Sequence, residues 1–600
     1  MTLNAKRVTQ VALGGVAAAA LLGVGSSLAQ IPAVPQARPP GLPPGFEGLP
    51  AQRNPIELNA PRPPVRLSPE LQPPPLVAQT GPGAGAVVKV DRVTITGNEA
   101  IPAAALAGAT RGLAGAEVPL SRIEDARLAI LRAYRDRGYA FAAVDAGLTR
   151  RPDGAIDVVF GVVEGFVAEV KLEGDIGPAG TQVLRFLDRL VGVKPASTRD
   201  IERALLLAGD VPGVTVRGTL RPLQTEPGAL QLIAQVERRA VDGFINVDNR
   251  GFREVGPWQW LGVVGANSFT EYGERAELSY FGAQESSQWF LQASVEAFVG
   301  GSGLRVRVYG GTGQTRPTGS LGEIGYYGLT NVAGVVGSYP VIRSRAFNLI
   351  ASATLEGYDG EIQTGTVGRT RASFDQVRTG RGALDVQYLE ARLLPFLPAA
   401  TNTGSVRVHQ GLGWFGASRN GDPTTGRSGN ETFNFFKVNG EIQRIQPIFS
   451  PFEGSMVNLQ GLFLGQFTND ILPLSEKCYL GGGRIGRGYY AGQVTGDQCW
   501  GYAVELQLDT AYDVPIDPAW GSNRFTSQFY FFRDFSRAFE NLRNDPDRRL
   551  SSWGGGVRTV ISDTVQFDLE GVHRVVTNPD GVAAEPLRSS AFFFRTLVRF

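Results

Sequence analysis

From about Asp242 to Phe600, apolar and polar residues alternate with a period of two, in runs of roughly ten. Trp289, Leu291, Ala293, Val295, Ala297 and Val299 fall on one face, with Gln292, Ser294 and Glu296 opposite. The pattern recurs as Val457, Leu459 and Phe463, and as Tyr502, Val504, Leu506 and Leu508 against Glu505, Gln507 and Asp509. It returns as Phe525, Phe529 and Phe531 against Thr526 and Gln528, and as Val565, Phe567 and Leu569 against Gln566, Asp568 and Glu570. Successive side chains of a strand point to opposite faces, so each run is a strand with one apolar and one polar side. After the first thirty residues no stretch of 18 apolar residues occurs, so the only route across a membrane is closed β-structure with every backbone group paired. A soluble β-sandwich alternates in the same way. The barrel is favoured by a secretory leader, by aromatic residues near strand ends, and by a terminus in which Phe592, Phe594, Val598 and Phe600 oppose Arg595 and Arg599. Roughly 360 residues at about 22 per strand and connection predict about sixteen strands, an even number as bacterial barrels have.

Composition agrees with this reading. Gly is 77 of 600 residues, and 33 Phe, 16 Tyr and 7 Trp stand beside only 2 Met, which suits many short strands joined by turns. A hydrophobic content of 42% excludes a polytopic helical membrane protein, and a net charge of +1 leaves no basic excess for a nucleic acid. Residues 1–29 carry Lys6 and Arg7, an apolar run from Val11 to Val24, and Ser27-Leu28-Ala29, the pattern of a signal peptide cleaved after Ala29. Residues 30–86 follow as an extended linker holding 16 of the 38 prolines.

Between the linker and the alternating region one pattern occurs twice. The first copy, 87–165, reads as strand Val87–Gly97, short helix Pro102–Ala109, helix Ser121–Asp136 and strands Ala140–Thr149 and Ile156–Glu164. Ser121 and Glu124 have the spacing of a capping box, and Ile123, Ile130, Leu131 and Tyr134 share one helical face. The second copy, 166–240, reads as strand Phe166–Gly174, helix Val183–Leu190, a helix opened by Ser197 with Asp200, and strands Val214–Pro222 and Leu230–Arg238. Each copy is β-α-α-β-β, and such an internal repeat marks two like units.

Two such repeats feeding a Phe-terminated barrel resemble the two-partner-secretion outer-membrane transporters, the TpsB group of haemolysin and haemagglutinin secretion proteins, over about Val87 to Phe600. The resemblance implies that the repeats are periplasmic POTRA domains and that residues 241–600 form the outer-membrane barrel. The related assembly factor BamA typically has five such domains. Phe244 to Gly251, with Asp248-Asn249-Arg250-Gly251, is similar to the junction at which such proteins enter the first barrel strand. Arg487-Gly488-Tyr489, within Leu480–Tyr490, looks like the tip of the family's inward-folded loop, and Phe532-Arg533-Asp534-Phe535-Ser536 like its strand partner, with Ser536 where the family has Gly. Asp534 has the parity of Thr526, Gln528 and Tyr530 and is predicted to face the lumen, where the resemblance implies a charge-assisted pair with Arg487. Cys478 and Cys499 flank this loop; in an oxidising compartment they form a candidate disulfide, the alternative being two buried thiols.

Other chemistries lack their residues. Gly481, Gly483 and Gly486 fit a dinucleotide fingerprint with Glu505 about twenty residues on, but no helix follows and Glu505 sits on a period-two strand. The only histidines, His409 and His573, lie in alternating sequence, so neither a multi-His zinc site nor a Ser-His-Asp triad is expected; catalytic residues, cofactors and metals are all absent from the reading. The resemblance implies an export pore whose partners are a secreted exoprotein with an N-terminal secretion domain, outer-membrane lipid and, during biogenesis, the barrel-assembly machinery, with no nucleic acid. The alternatives are an assembly factor for other barrels and a passive porin, the latter leaving the repeats without a role. Family members often plug the pore with an N-terminal helix; the prolines leave only short pieces around Ala51–Asn59 for that. Sequencing the N-terminus of the protein recovered from outer membranes should read from Gln30.

Overall fold

The computed structural model describes residues 86–390, 396–513, 524–543, 545–561, 564–581 and 585–600. The leader, the proline-rich linker and the plug segment lie outside the described residues.

In the first α+β unit Val87–Thr96 runs parallel to Ile156–Val163, and the connection crosses over through helices Ala103–Leu106 and Leu120–Asp136. Glu117–Pro119 and Ala143–Arg150 are its sheet edges. In the second unit Phe166–Glu173 runs parallel to Ala229–Arg238, with Val214–Pro222 antiparallel on the far side and helices Ala179–Leu187 and Thr198–Gly209 in the crossover. Both units place the last strand between the first and the penultimate one, which is the sequence repeat expressed as topology. Ile123, Ile130, Leu131 and Tyr134 are buried in the first core as their helical spacing predicts.

The capping box does not form. Glu117–Pro119 pairs with the first strand and starts the helix at Leu120, so Ser121 lies inside the first turn and caps nothing. Glu124 instead pairs with Arg127 at 2.7 Å, and Arg127 donates to the Val144 carbonyl at 3.0 Å, fastening the helix to an edge strand.

Among the described residues, sixteen antiparallel strands from Val241–Asp248 to Ser590–Arg599 close into a barrel. The apolar members of the alternating runs face outward: Leu506 is 52% exposed, whereas its neighbour Glu505 is 2% exposed. A sandwich would bury the apolar face, so this inversion decides between the two readings that alternation left open. Since the chain enters the first strand from the second α+β unit, turns 268–274, 299–304 and 344–346 lie on that unit's side and loops 412–435, 469–497 and 540–547 on the other.

The second unit is fastened to this rim. Arg343 forks onto both carboxylate oxygens of Asp210 at 2.9 and 2.7 Å, Arg203 donates to the Pro340 carbonyl at 2.8 Å, and Gln182 to the Gly300 carbonyl at 2.9 Å. Phe298 extends the unit's own apolar core, its ring 5.2 Å from Phe186. Leu506→Arg, which places a charge on the lipid face, should destabilise the barrel by about 2–4 kcal/mol, measured by urea unfolding of the protein refolded into lipid vesicles.

Candidate functional site

Loop 469–497 folds back into the barrel from the side opposite the α+β units. Its base is a short hairpin, Cys478–Leu480 paired with Val494–Gly496, and Cys478 is disulfide-bonded to Cys499 at the start of strand Gln498–Asp513, with 6.2 Å between their Cα atoms. Leu480, Tyr489 and Val494 pack with Ala538, Leu550 and Leu587, so the loop carries an apolar core into the polar lumen. Backbone geometry allows its tip to sit against the wall. Gly486 has φ +72°, and a Cβ on Gly488 would come within 2.6 Å of the Ser552 Cβ.

The three tip residues are each held differently. The Arg487 amide donates to Asp534 Oδ2 at 2.7 Å, and the Gly488 amide to Ser552 Oγ at 3.0 Å. Ser552 in turn donates its hydroxyl and its amide to Asp534 Oδ1, so one carboxylate organises two consecutive loop peptides. Tyr489 is wholly buried, and its hydroxyl lies 2.8 Å from the Ser551 carbonyl and 2.7 Å from that of Val576. Arg574 donates to the Gly488 carbonyl.

The guanidinium of Arg487, 5% exposed, pairs with Glu505 and Glu570 on two separate wall strands. It lies over the Phe532 ring at 3.8 Å. Arg487 and Asp534 therefore meet, but not as the side-chain pair that the resemblance implied. The main chain of Arg487 occupies Asp534, while the guanidinium reaches past it to the carboxylates beyond. Both carboxylates have a second arginine: Arg558 pairs with Glu505 at 2.6 Å and Arg250 with Glu570 at 2.7 Å. Tyr530 donates to Glu570 at 2.8 Å. A cavity of about 1100 Å³ lies between the tip and the wall, lined in part by Arg487, Arg558, Glu570, Arg595 and Arg599.

Ser536, where the family has Gly, is buried opposite Gly501, whose own Cβ would approach the Ser536 Cβ to 2.8 Å. The space that a glycine would leave at 536 is provided by the glycine across the ladder. Phe600, the terminal residue, pairs through its backbone with Gly243 at 3.0 and 3.1 Å.

Glu505 and Glu570 escaped the sequence reading as partners of Arg487, although their strand parity places both on the lumenal face. Two further ion clusters hold the shoulders of the loop, and no sequence motif marks them. Glu476 pairs with Lys437 at 2.7 Å and Arg381 at 3.1 Å, with His409 Nδ1 at 3.7 Å. Arg427, from loop 412–435, binds Asp497 at 2.8 Å and Glu540 and Asp545 at 3.1 Å each, and Lys477 binds Glu540 at 2.6 Å. His573 lies on the opposite face of its strand from Arg574, its ring 5.2 Å from that of Trp553.

Comparison with known proteins places these features. Residues 363–559 match the family model described as haemolysin secretion/activation protein ShlB/FhaC/HecB, and residues 88–165 match the POTRA model, described as surface antigen variable number repeat. The heme/hemopexin transporter protein HuxB of Haemophilus influenzae is 20% identical over 444 residues, which cover 72% of this chain and 74% of that protein. CdiB from Escherichia coli superposes with a TM-score of 0.67 at 17% identity, covering 88% of this chain and 94% of that one. CdiB from Acinetobacter baumannii gives 0.56 at 16% identity over 91% and 95% of the two chains. At these identities the likeness to the solved structures is one of fold.

Removing one member of a buried ion pair costs about 3–5 kcal/mol when it strands a charge. Arg487→Ala strands none, because Arg558 and Arg250 remain on the two glutamates, whereas Glu570→Ala leaves Arg250 without a carboxylate. Urea unfolding followed by tryptophan fluorescence should rank Glu570→Ala as clearly the more damaging, with Arg487→Ala costing less than about 3 kcal/mol.

Proposed function

We propose that this chain, whose residues 363–559 match the ShlB/FhaC/HecB family model and whose residues 88–165 match the POTRA model, is an outer-membrane β-barrel transporter that exports a large partner exoprotein from the periplasm to the cell surface. The observation that carries the reading is the inward loop, whose Arg487, Gly488 and Tyr489 are all fastened to the lumen wall of a barrel with an α+β unit docked on its rim. In this reading Arg487 and Asp534 hold the loop in its working position and perform no catalysis.

The cargo arrives unfolded and pairs its extended N-terminal segment with a sheet edge of the periplasmic units. Such pairing uses backbone hydrogen bonds and makes little demand on sequence. In the second unit Phe166–Glu173 is bridged on its outer side by Val191, so Val214–Pro222 is the edge on which a segment adds. Beyond it the lumenal wall carries arginines beside carboxylates: Arg275 with Asp242 at 2.8 Å, Arg407 with Asp385 at 2.9 Å and Arg595 with Asp568 at 2.6 Å. A wall of paired charges attracts neither sign of passing chain strongly, which suits a polypeptide of mixed charge.

Co-expression with the partner exoprotein tests the proposal. Wild type should release the exoprotein to the medium, while Arg487→Ala and Asp534→Ala should lower release although the barrel still inserts and keeps the gel mobility of a folded barrel. Release at the wild-type rate by both variants would remove the loop from the mechanism.

A further inference from the structure

We infer that Asn249 and Arg250 couple closure of the barrel seam to the seated loop, and so act as positioning residues for export; the inference rests on the export reading above. The seam joins the first and last strands over a short register, from Arg595 opposite Asp248 to Arg599 opposite Phe244. Beyond Asp248 the backbone ladder stops, and a side chain continues it. Asn249 donates its amide to the Phe592 carbonyl at 3.1 Å and accepts the Phe594 amide at 2.9 Å. A carboxamide offers a donor and an acceptor, as a peptide group does, so Asn249 serves as one more rung at the loop end of the seam.

The next residue faces the loop. The Arg250 guanidinium donates to the main-chain carbonyl of Arg487 and to Glu570 Oε1 at 2.7 Å, and lies over the ring of Phe593, on the last strand, at 4.0 Å. The Arg250 carbonyl accepts the Ala491 amide at 3.0 Å, so the loop is gripped on both flanks of its tip. The buried carboxylate of Asp248 makes the turn rigid, accepting the Arg250 amide at 2.9 Å and the Gln259 side chain at 2.8 Å. Two consecutive residues therefore bind two different elements, Asn249 the seam and Arg250 the loop. The Asp248 carboxylate holds the turn that both residues share, so a shift of one is passed to the other. If the loop leaves the lumen, Arg250 loses the Arg487 carbonyl and the Ala491 amide and keeps only Glu570 and the Phe593 ring, so the turn that presents the adjacent rung is held less firmly. Linkage makes the effect reciprocal, so a seated loop holds the seam closed.

The seam can be followed without cargo, which separates failure of this inference from failure of the export reading. Ile245 and Val598 oppose each other across it on the lipid face, 51% and 36% exposed. In the full-length protein purified in detergent, Ile245→Cys with Val598→Cys gives a pair whose oxidative cross-linking rate reports seam closure. Arg487→Ala, which removes the side-chain anchor of the loop tip without touching the seam, and Arg250→Ala should each slow cross-linking about fivefold or more. Combining them should slow it no further than the slower single variant, and Arg250→Lys should restore part of the rate. Wild-type cross-linking in both Arg487→Ala and Arg250→Ala overturns the coupling. So does a slow rate confined to Asn249→Ala, which would make that residue a local brace of the seam with no link to the loop.

Discussion

Lipid offers no hydrogen-bond partner, so every backbone group in the membrane must be paired within the protein, and closure of the strand ladder is the condition on which the rest of this structure stands. Fifteen of the junctions join strands that follow one another in the chain; the sixteenth brings residues 241–248 against 590–599, and it is short. Side chains and ends reinforce it. Phe600 and Gly243 exchange backbone hydrogen bonds at one end, and Asn249 supplies a rung at the other. Closure also creates an interior too wide for the wall side chains to fill. The loop that enters it must bring its own apolar core, and it meets a polar wall where any unpaired charge is costly.

The two kinds of ionic contact on that loop differ in what breaking them would leave behind. At the tip, Glu505 and Glu570 are each shared between Arg487 and a second arginine, so withdrawal of Arg487 leaves both carboxylates paired. At the shoulders, Glu476, Lys477 and Asp497 belong to the loop itself and are buried against Lys437, Arg381, Glu540 and Arg427, and moving them would strand charge. The disulfide ties the base to the wall as well. The tip can thus be released at modest electrostatic cost while the base stays in place.

Much of this was legible in the residues, and the misses have identifiable causes. A period of two survives inspection because it depends only on which face each residue takes, and the repeat survives because each copy must bury its own helices. Parity put Asp534, Glu505 and Glu570 in the lumen. It does not say which of them a long arginine reaches, since cross-strand distances and the depth of the loop settle that. The capping box failed because Glu117–Pro119 claimed the preceding residues for the sheet. Gly501 balances Ser536 across a strand pair separated by thirty-five positions in sequence, which no local pattern records.

By itself, then, the sequence determined the class of structure: two like α+β units, one apolar and one polar face on each alternating strand, and a glycine-rich loop carrying Arg487 between two cysteines. These follow from local periodicity and from residue types that tolerate few alternatives. The tertiary structure decided which face met lipid, which atoms of Arg487 met Asp534, and that Asn249 and Arg250 join seam to loop. The contact of Arg487 with Asp534 spans 47 positions, those of Asn249 and Arg250 span more than two hundred, and only the closed barrel brings such segments within hydrogen-bond reach.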